Sequence, residues 1–585
     1  MSTRKILLLV ALVAGIGAFF AFDLGRFLSL DYLKQSQAAF GERYAQHPWQ
    51  VAGAYFAIYV AATALSLPGA AIITLAGGAI FGLLWGTVIV SFASTIGATL
   101  AFLVSRFILR STVESRFGQR LAEINRGVER DGALYLFTLR LIPVVPFFLI
   151  NLLMGLTRMK AFTFYWVSQV GMLAGTLVYV NAGTQLARLE SLQGILSPAL
   201  LGSFVLLGIF PLIARRIVEA VQKRKVYARW RGVRPRTFDR NLIVIGAGAG
   251  GLVTAYIAAA VKAKVTLIEA HKMGGDCLNY GCVPSKALIK SARLAHQMRH
   301  GANYGLNDTA PTFSFKAVMQ RIHDVIRAIE PHDSVERYTR LGVEVLQGYA
   351  KLVNPWTVEI ALNGGGTQRL TTRSIVIAAG ARPFVPPLPG LDDVGYITSD
   401  TLWDEFAKLD EVPRRLLVLG GGPIGSELAQ SFARLGSQVT QVEMAPRIMI
   451  REDEEVSALA KASLEADGVA VLTGHKALRC ERVGGEKVLV VEHGGVERRI
   501  AFDQLLCAVG RSARLTGYGL EELGIPTHRT VETNEYLQTL YPNIFAAGDV
   551  AGPFQFTHVA AHQAWYAAVN ALFGDFRKFK ADYSV

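Results

Sequence analysis

Two cysteines stand four residues apart in the stretch 274–286, which reads GGDCLNYGCVPSK and contains Cys277 and Cys282. Two thiols at this spacing on the first turn of a helix can close a strained disulfide that is easily reduced. A helix N-terminus also favours the thiolate, which is the reactive form. A zinc site would need two more ligands nearby, and a structural disulfide would need an oxidising compartment. The pattern therefore predicts a redox centre.

The charge of the chain is unevenly distributed. Residues 1–240 contain 25 Lys and Arg against 10 Asp and Glu, whereas residues 241–585 contain 35 against 36. A basic excess confined to the first part indicates a membrane protein that obeys the positive-inside rule, and it argues against nucleic-acid binding by the second part. All four cysteines follow residue 276. So sparse a set indicates a reducing cytosol rather than a secreted disulfide framework.

A glycine-rich turn follows the first apolar strand of the second part. The strand covers residues 241–245, the turn runs from Gly246 through Gly248 to Gly251, a helix follows, and the next strand ends in Glu269. Gly246 permits the tight turn, Gly248 lets the backbone approach a pyrophosphate, and Gly251 lets helix and strand pack closely. Glu269 is placed to accept a hydrogen bond from a ribose hydroxyl. These residues predict a dinucleotide-binding fold.

The same fingerprint recurs at Gly420, Gly422 and Gly425, and the following strand ends in Glu443. Two such folds would place two dinucleotides face to face, as hydride transfer from nicotinamide to flavin requires. A carboxylate at Glu443 would accept from a free 2′-hydroxyl and repel a 2′-phosphate, which favours NADH over NADPH. Arg447 lies close enough in sequence to meet such a phosphate, so NADPH stays open.

The order of these motifs resembles the pyridine nucleotide-disulfide oxidoreductases, the family of dihydrolipoamide dehydrogenase, glutathione reductase and mercuric reductase. The resemblance implies that the first fold holds FAD and the second NAD(P)H. It implies that Cys282 lies nearer the flavin and that Cys277 attacks the substrate. It also implies that Lys286 lies beside flavin N5 and pairs with Glu427.

Further stretches resemble motifs of the same family. Residues 379–383, with Gly380, resemble the crossing from the FAD domain to the next domain. Residues 505–511 resemble the return crossing, although the usual Pro-Asn after it is missing. Residues 539–549 resemble the second FAD motif, in which Asp549 would hold the ribityl chain. We therefore expect a discontinuous FAD domain.

The resemblance leaves several residues without an assigned role. His558 and His562 lie in the helix expected after Asp549, either as catalytic groups or as ordinary helix residues. Cys480 and Cys507 have no partner at useful spacing. The sequence ends at Val585, where the family's interface domain begins, so we expect that domain, with its dimer contacts and acid-base His, to be absent here. Truncation and loss of the domain both remain open.

The first part contains apolar segments that are long enough to cross a membrane, at about 20 residues per crossing. The first is either a signal peptide or a spanning helix, and the segments that follow favour the helix. They cover residues 6–22, 51–84, 83–104, 134–156, 162–182 and 195–214.

Arginine-rich connections orient these segments. Six arginines lie in residues 106–130, and residues 215–240 carry ten positive side chains, so both connections should face the cytoplasm. Residues 134–156 contain Arg140 and two prolines, which fits a re-entrant loop that dips in and returns. The glycine-rich residues 68–82 look like its counterpart. The side of the N-terminus stays open.

The residues Arg140, Pro143, Pro146, Asn151 and Gly155 resemble the DedA-type, SNARE-associated-Golgi (VTT) membrane domain over roughly residues 50–215. The resemblance implies an integral membrane domain with two facing re-entrant loops, which in some relatives moves lipids or is linked to the proton gradient. Whether this one transports or only anchors is undecided. We expect Arg140 to pair with backbone carbonyls.

The predicted fold is an all-α polytopic membrane domain with re-entrant loops, followed by α/β with two Rossmann-like domains. The domains are residues 1–220 (membrane), 221–240 (a basic juxtamembrane linker with affinity for anionic lipid heads), 241–385 with 510–585 (FAD) and 386–509 (NAD(P)). The predicted function is a membrane-anchored NAD(P)H oxidoreductase that uses FAD and passes electrons to a disulfide, metal ion or quinone. The alternative is a lipid or solute transporter whose flavoprotein half senses redox state. No resident metal site is predicted.

Overall fold

The computed structural model describes residues 42–67, 69–108, 133–141, 146–187 and 198–584. The chain divides into two compact units, Met1–Lys225 and Val226–Val585. Several sequence-based predictions concern residues outside the described part. They are the apolar run 6–22, Pro68, Pro143 and the arginines between residues 110 and 130.

The first unit is helical. Its helices are α1 Pro48–Ala64, α2 Ala70–Ile108, α3 Ala133–Leu141, α4 Phe147–Leu156, α5 Ala161–Ala187 and α6 Pro198–Val226. Helix α2 contains one break, at Gly82, where φ is 71° and ψ is −172°. Among the described helices, α2 and α5 are long and apolar enough to cross a membrane.

The predicted apolar segment 51–84 contains most of α1 and the first part of α2. Helix α1 and the first part of α2 form a hairpin, in which the Tyr55 hydroxyl donates to Ile73 O at 2.6 Å and the hydroxyls of Tyr59 and Thr74 lie 2.9 Å apart. The Tyr59 hydroxyl also lies 3.5 Å from Ala70 O, whereas Tyr55, one turn earlier in α1, reaches Ile73 further along α2. The two helices therefore run antiparallel.

Arg140 corrects one prediction, because its guanidinium binds side chains rather than backbone carbonyls. It donates to Asn151 Oδ1 at 2.6 Å and to Ser168 Oγ at 3.1 Å, and it is 8% exposed. Arg106 instead binds backbone carbonyls, and its guanidinium donates to Gly155 O at 3.2 Å. Buried hydrogen bonds of this kind join the short helices α3 and α4 to α5.

The second unit is α/β. Its helices are α7 Ala249–Ala260, α8 Gly275–Asn279, α9 Cys282–Arg299, α10 Phe315–Ile329, α11 Val335–Arg340, α12 Leu391–Val394, α13 Leu402–Phe406, α14 Pro423–Arg434, α15 Glu454–Ala466, α16 Leu520–Leu523 and α17 Thr557–Phe573. Its strands are β1 Arg240–Ile245, β2 Val265–Glu269, β3 Val343–Asn354, β4 Thr357–Leu362, β5 Thr367–Ile377, β6 Ala381–Pro383, β7 Arg415–Leu419, β8 Gln438–Glu443, β9 Ala470–Thr473, β10 Lys476–Val483, β11 Glu486–His493, β12 Val496–Phe502, β13 Gln504–Cys507, β14 Arg511–Ala513 and β15 Ile544–Ala546.

Two parallel sheets organise this unit. In the first, β3, β2, β1, β5 and β15 lie side by side in parallel, and β4 joins β3 to β5 in antiparallel pairing. The second is a parallel sheet of order β13-β7-β8-β9. Strands β6 and β14 pair antiparallel where the chain leaves the first sheet and returns to it. Strands β10, β11 and β12 form an antiparallel sheet beside them.

The predicted juxtamembrane linker is partly built into the second unit. The Tyr227 ring stacks on Trp356 at 4.9 Å, and its hydroxyl lies 2.6 Å from Asn543 Oδ1. The Trp230 indole donates to the hydroxyl of Tyr541 at 2.8 Å. We call Tyr227, Trp230, Trp356 and Tyr541 the aromatic clamp. It lies at the amino-terminal edge of the first sheet, because Asn543 directly precedes β15.

Helix α9, which begins at Cys282, shares its core with the second sheet. Its buried Leu288 and Ala292 pack in one cluster with Val418 of β7 and with Leu428 and Phe432 of α14. The helix thus belongs in sequence to the first predicted nucleotide fold and in packing to the second. This arrangement positions the cysteines between the two sheets.

Candidate redox active site

A cavity of about 790 Å³ opens at the carboxyl ends of the first sheet. The residues that follow β1, β2, β5 and β15 line it, and so do both cysteines. Ligands of open parallel sheets bind at this edge, because loops and helix N-termini converge there. The aromatic clamp lies at the opposite edge.

The first glycine-rich turn forms one wall of the cavity. Gly246 has a φ of 100°, and Gly248 is the N-cap residue of α7. A side chain on Gly251 would collide with Gly246 O, which explains the small residue there. The Glu269 carboxylate accepts from the backbone amides of Ala247 at 2.7 Å and His271 at 2.8 Å. The amide groups of this turn can therefore meet an anion at the helix N-terminus.

The second glycine-rich turn repeats this geometry. Gly420 has a φ of 115°, Gly422 is the N-cap residue of α14, and a side chain on Gly425 would lie 2.5 Å from Gly420 O. The Glu443 carboxylate accepts from Gly421 N at 2.6 Å and from Ala445 N at 2.7 Å. The two glycine-rich turns thus share the same local geometry.

The cysteines lie on two consecutive helices. Cys277 is in the short helix α8, and Cys282 is the first residue of the long helix α9. Both are free thiols in the structure, and they lie near enough to each other for Cys282 to raise the pKa of Cys277. The Cys282 thiol also lies 3.9 Å from the hydroxyl of Thr557, the first residue of α17. The two thiols are therefore close enough to act together.

The sequence predicted both cysteines on the first turn of one helix, but only Cys282 begins the long helix α9. Burial, followed by the hydrogen bond and the charge of Cys282, raises the pKa of the Cys277 thiol to about 11. The expectation that one helix turn favours the thiolate of both cysteines is therefore corrected for Cys277. Its thiol form is favoured because an anion is poorly solvated there.

Lys286 and Glu427 meet across the cavity. Lys286 lies one turn after Cys282, and its Nζ is 2.8 Å from Glu427 Oε2. Glu427 belongs to α14, and both residues line the cavity. The predicted pairing is thus present, and it joins the helix of the cysteines to the second glycine-rich turn.

Sequence reasoning missed several contacts around the cysteines. The Arg511 guanidinium forms an ion pair with Asp276, and the Trp403 indole donates to Tyr280 O at 2.9 Å. Both hold the segment between the glycine turn and α9. The only signal for Arg511 was its place after the return crossing, and nothing in the spacing connects Trp403 with Tyr280.

The remaining predicted residues separate into two groups. Gly380, with a φ of 69°, Asp549 and His558 line the cavity, and burial raises the pKa of the Asp549 carboxyl. His562 points elsewhere, since its Nε2 lies 2.6 Å from Asp582 O. Cys480 and Cys507 are buried at 6% and 2% exposure. They lie outside the cavity lining, as ordinary core thiols would.

A family model describes this arrangement. Residues 240–564 match the pyridine nucleotide-disulphide oxidoreductase model, which is more than half of the chain. The chain belongs to this family. Its members use FAD and NAD(P)H. Residues 67–185 match the VTT domain, which together with the two long apolar helices indicates association with a membrane.

Individual relatives agree with the family assignment. The chain is 35% identical over 339 residues to mercuric reductase of Bacillus cereus, covering 58% of this chain and 52% of that one. It is 35% identical over 352 residues to dihydrolipoyl dehydrogenase of Pseudomonas aeruginosa, covering 58% and 72%. The chain therefore spans about half the length of the Bacillus cereus protein.

A solved structure shows the same fold. It is the Cu(II) complex of the HOCl-induced flavoprotein disulfide reductase RclA from Escherichia coli. The match has a TM-score of 0.50 and 27% identity, and it covers 58% of this chain and 72% of that one. The matched part of this chain thus has the fold of a flavoprotein disulfide reductase.

Proposed function

We propose that this chain is a membrane-bound, FAD-dependent oxidoreductase that passes electrons from NADH to the Cys277–Cys282 pair and then to an acceptor. The observation that carries the proposal is the cavity itself. It brings the first glycine turn, both cysteines and the Lys286–Glu427 ion pair to one place. Family membership supports the same chemistry.

The residues around the cavity fit FAD. Gly246, Gly248 and Gly251 leave the α7 N-terminus open to a diphosphate, and Glu269 is available to a ribose. Asp549 and Gly380 line the same cavity, and Asp549 would hold the ribityl chain. When bound there, FAD would accept a hydride from the nicotinamide and deliver two electrons to the cysteine pair.

The second fold supports NADH rather than NADPH. Glu443 occupies the position that reads the ribose, where its carboxylate would repel a 2′-phosphate. Arg447, the nearby cation that could offset this, is engaged elsewhere. Its guanidinium donates to the backbone carbonyls of Met449 at 3.3 Å and Glu452 at 2.7 Å. Gly420, Gly422 and Gly425 would admit the diphosphate, as in the first fold.

Two electrons would pass through the cysteine pair. One hydride from NADH and one proton convert the Cys277–Cys282 disulfide into two thiols and NAD⁺. With a disulfide acceptor, Cys277 attacks one sulfur and the first thiol leaves; Cys282 then attacks the Cys277 sulfur of the mixed disulfide, the second thiol leaves, and the Cys277–Cys282 disulfide closes, so the acceptor gains two electrons. Lys286, held by Glu427, keeps a positive charge beside the pair. The acceptor is a disulfide, a metal ion or a quinone, and the names of the relatives include one metal ion, in mercuric reductase.

The first unit would hold the oxidoreductase at the cytoplasmic face of a multi-pass membrane domain. The hairpin of α1 with the first part of α2 and the break at Gly82 support a re-entrant segment there, since a Cβ on Gly86 would come within 2.8 Å of Gly77 O. The short helices α3 and α4 are too brief to cross singly and support a second one. The basic residues 215–240 support the cytoplasmic side.

Spectroscopy of the purified full-length chain tests this proposal. We expect detergent-solubilised protein to carry about one FAD per chain and to bleach faster with anaerobic NADH than with NADPH. The matched control is Cys480→Ser, a buried cysteine outside the cavity, which should bleach normally. Protein that neither carries nor takes up FAD would contradict the proposal.

A further inference from the structure

Arg511 stands where the chain crosses between the two parallel sheets. It is the first residue of β14, which pairs antiparallel with β6. Its side chain is 16% exposed. Besides its ion pair with Asp276, the guanidinium reaches Ala381 O at 3.2 Å and lies 3.6 Å from a carboxylate oxygen of Asp400. One cation thus joins the helix of Cys277 to the crossing strands.

Asp276 lies between the attacking cysteine and the first glycine turn. It directly precedes Cys277 and directly follows Gly275, and a Cβ on Gly275 would come within 2.5 Å of Gly248 Cα. The segment of Asp276 is therefore packed against the backbone at which we place the FAD diphosphate. Asp276 and Gly248 line the same cavity, so a carboxylate in this segment would lie near that diphosphate.

The surroundings make an unpaired charge at Asp276 costly. The pKa of its carboxyl is raised to about 6, chiefly by burial; Arg511 opposes this rise, and the negative charges of Asp400 and Asp549 contribute to it. Arg514 lowers this pKa as well, after the other contributions. Arg511 is thus the principal cation that offsets the carboxylates on this wall of the cavity.

We propose that Arg511 is a positioning and charge-balancing residue, whose ion pair with Asp276 lets this chain carry a carboxylate beside the FAD diphosphate. The inference rests on the proposed function, because it takes FAD as the occupant of the cavity. With Arg511 neutral, Asp276 and the diphosphate repel each other. With both side chains neutral, that repulsion disappears and FAD binding recovers.

An ion pair with a purely structural role would give a different result. If the ion pair only fixed helix α8, either single substitution would break it, and the double substitution would be no better than the worse single one. Charge balance predicts that Arg511→Gln weakens FAD binding, that Asp276→Asn does not, and that the double substitution restores it. A double-mutant cycle separates the two because it isolates the interaction of the pair.

The experiment titrates FAD into FAD-free, full-length protein and follows flavin fluorescence at about pH 8, where Asp276 is ionised. We expect Arg511→Gln to weaken FAD binding about tenfold, Asp276→Asn to leave it unchanged or tighter, and the double variant to return within about threefold of the parent. Raising the salt from roughly 0.02 to 0.3 M should reduce the Arg511→Gln defect. The matched control is Arg369→Gln, an exposed arginine paired with Glu359 at 2.5 Å.

The outcomes are distinguishable. An Arg511→Gln variant that binds like the parent, or a double variant as weak as Arg511→Gln, overturns this inference while the proposed function stands. Parent protein that binds no FAD overturns the proposed function and this inference together.

Discussion

At the scale of single residues, the site depends on how Cys277 and Cys282 divide the chemistry. Cys282 begins a long helix and lies near Thr557, whereas Cys277 lies in a helix of five residues. Burial is the first cause that raises the pKa of Cys277, and Cys282 is the second. We therefore expect Cys277 to remain a thiol at neutral pH in the FAD-free, reduced protein.

The pH dependence of alkylation tests this assignment. Since the pKa of Cys277 is raised from 9.0 to about 11, its reaction with iodoacetamide should stay slow at about pH 8 and rise toward about pH 11. Cys282→Ser should lower the midpoint only in part, because burial remains. Mass spectrometry of the labelled Cys277 peptide provides the rate, and a midpoint at or below about 9 would contradict the account.

The same shift has a consequence for stability. A thiol whose pKa is higher in the folded chain than in the unfolded chain stabilises the fold below the unfolded value. That contribution is lost as the pH rises from about 9 to about 11, because the unfolded chain releases its proton first.

At the scale of elements, the aromatic clamp explains how residues 226–230 attach to the second unit. Tyr227 packs against Trp356 and Trp230 donates to Tyr541, so the end of α6 continues into the core beside β15. The sequence could not show this. Its basic residues indicated a juxtamembrane linker, and the partners of Tyr227 and Trp230 lie more than a hundred residues away.

Substitutions in the clamp test its contribution. Tyr227→Ala and Trp230→Ala should each lower the free energy of unfolding of the second unit by roughly 2–3 kcal/mol, because each removes aromatic packing and a hydrogen bond. Tyr227→Phe is the matched control and should cost only about 1 kcal/mol, since it loses the bond to Asn543 alone.

Thermal unfolding of the full-length chain and limited trypsin digestion at Arg229 and Arg231 are the two measurements of these effects. Unchanged midpoints and unchanged cleavage in both alanine variants would show that the clamp contributes nothing to stability.

At the scale of the whole molecule, the sequence predicted the local motifs far better than it predicted the long-range contacts. Glycine spacing together with Glu269 and Glu443 predicted two similar turns, because each turn is determined by backbone geometry within one βαβ unit. The Lys286–Glu427 pair was predicted only through the family resemblance. The Arg511–Asp276 pair and the partners of Arg140 depend on tertiary packing, which a single sequence does not display.

The central claim is that electrons reach the Cys277–Cys282 pair through the flavin. Anaerobic reductive titration of the full-length chain measures it most directly, by counting hydride equivalents per flavin. The parent protein should take up about two equivalents, one for the flavin and one for the disulfide, and Cys277→Ser should take up about one. Equal uptake of one equivalent by both proteins would contradict the account.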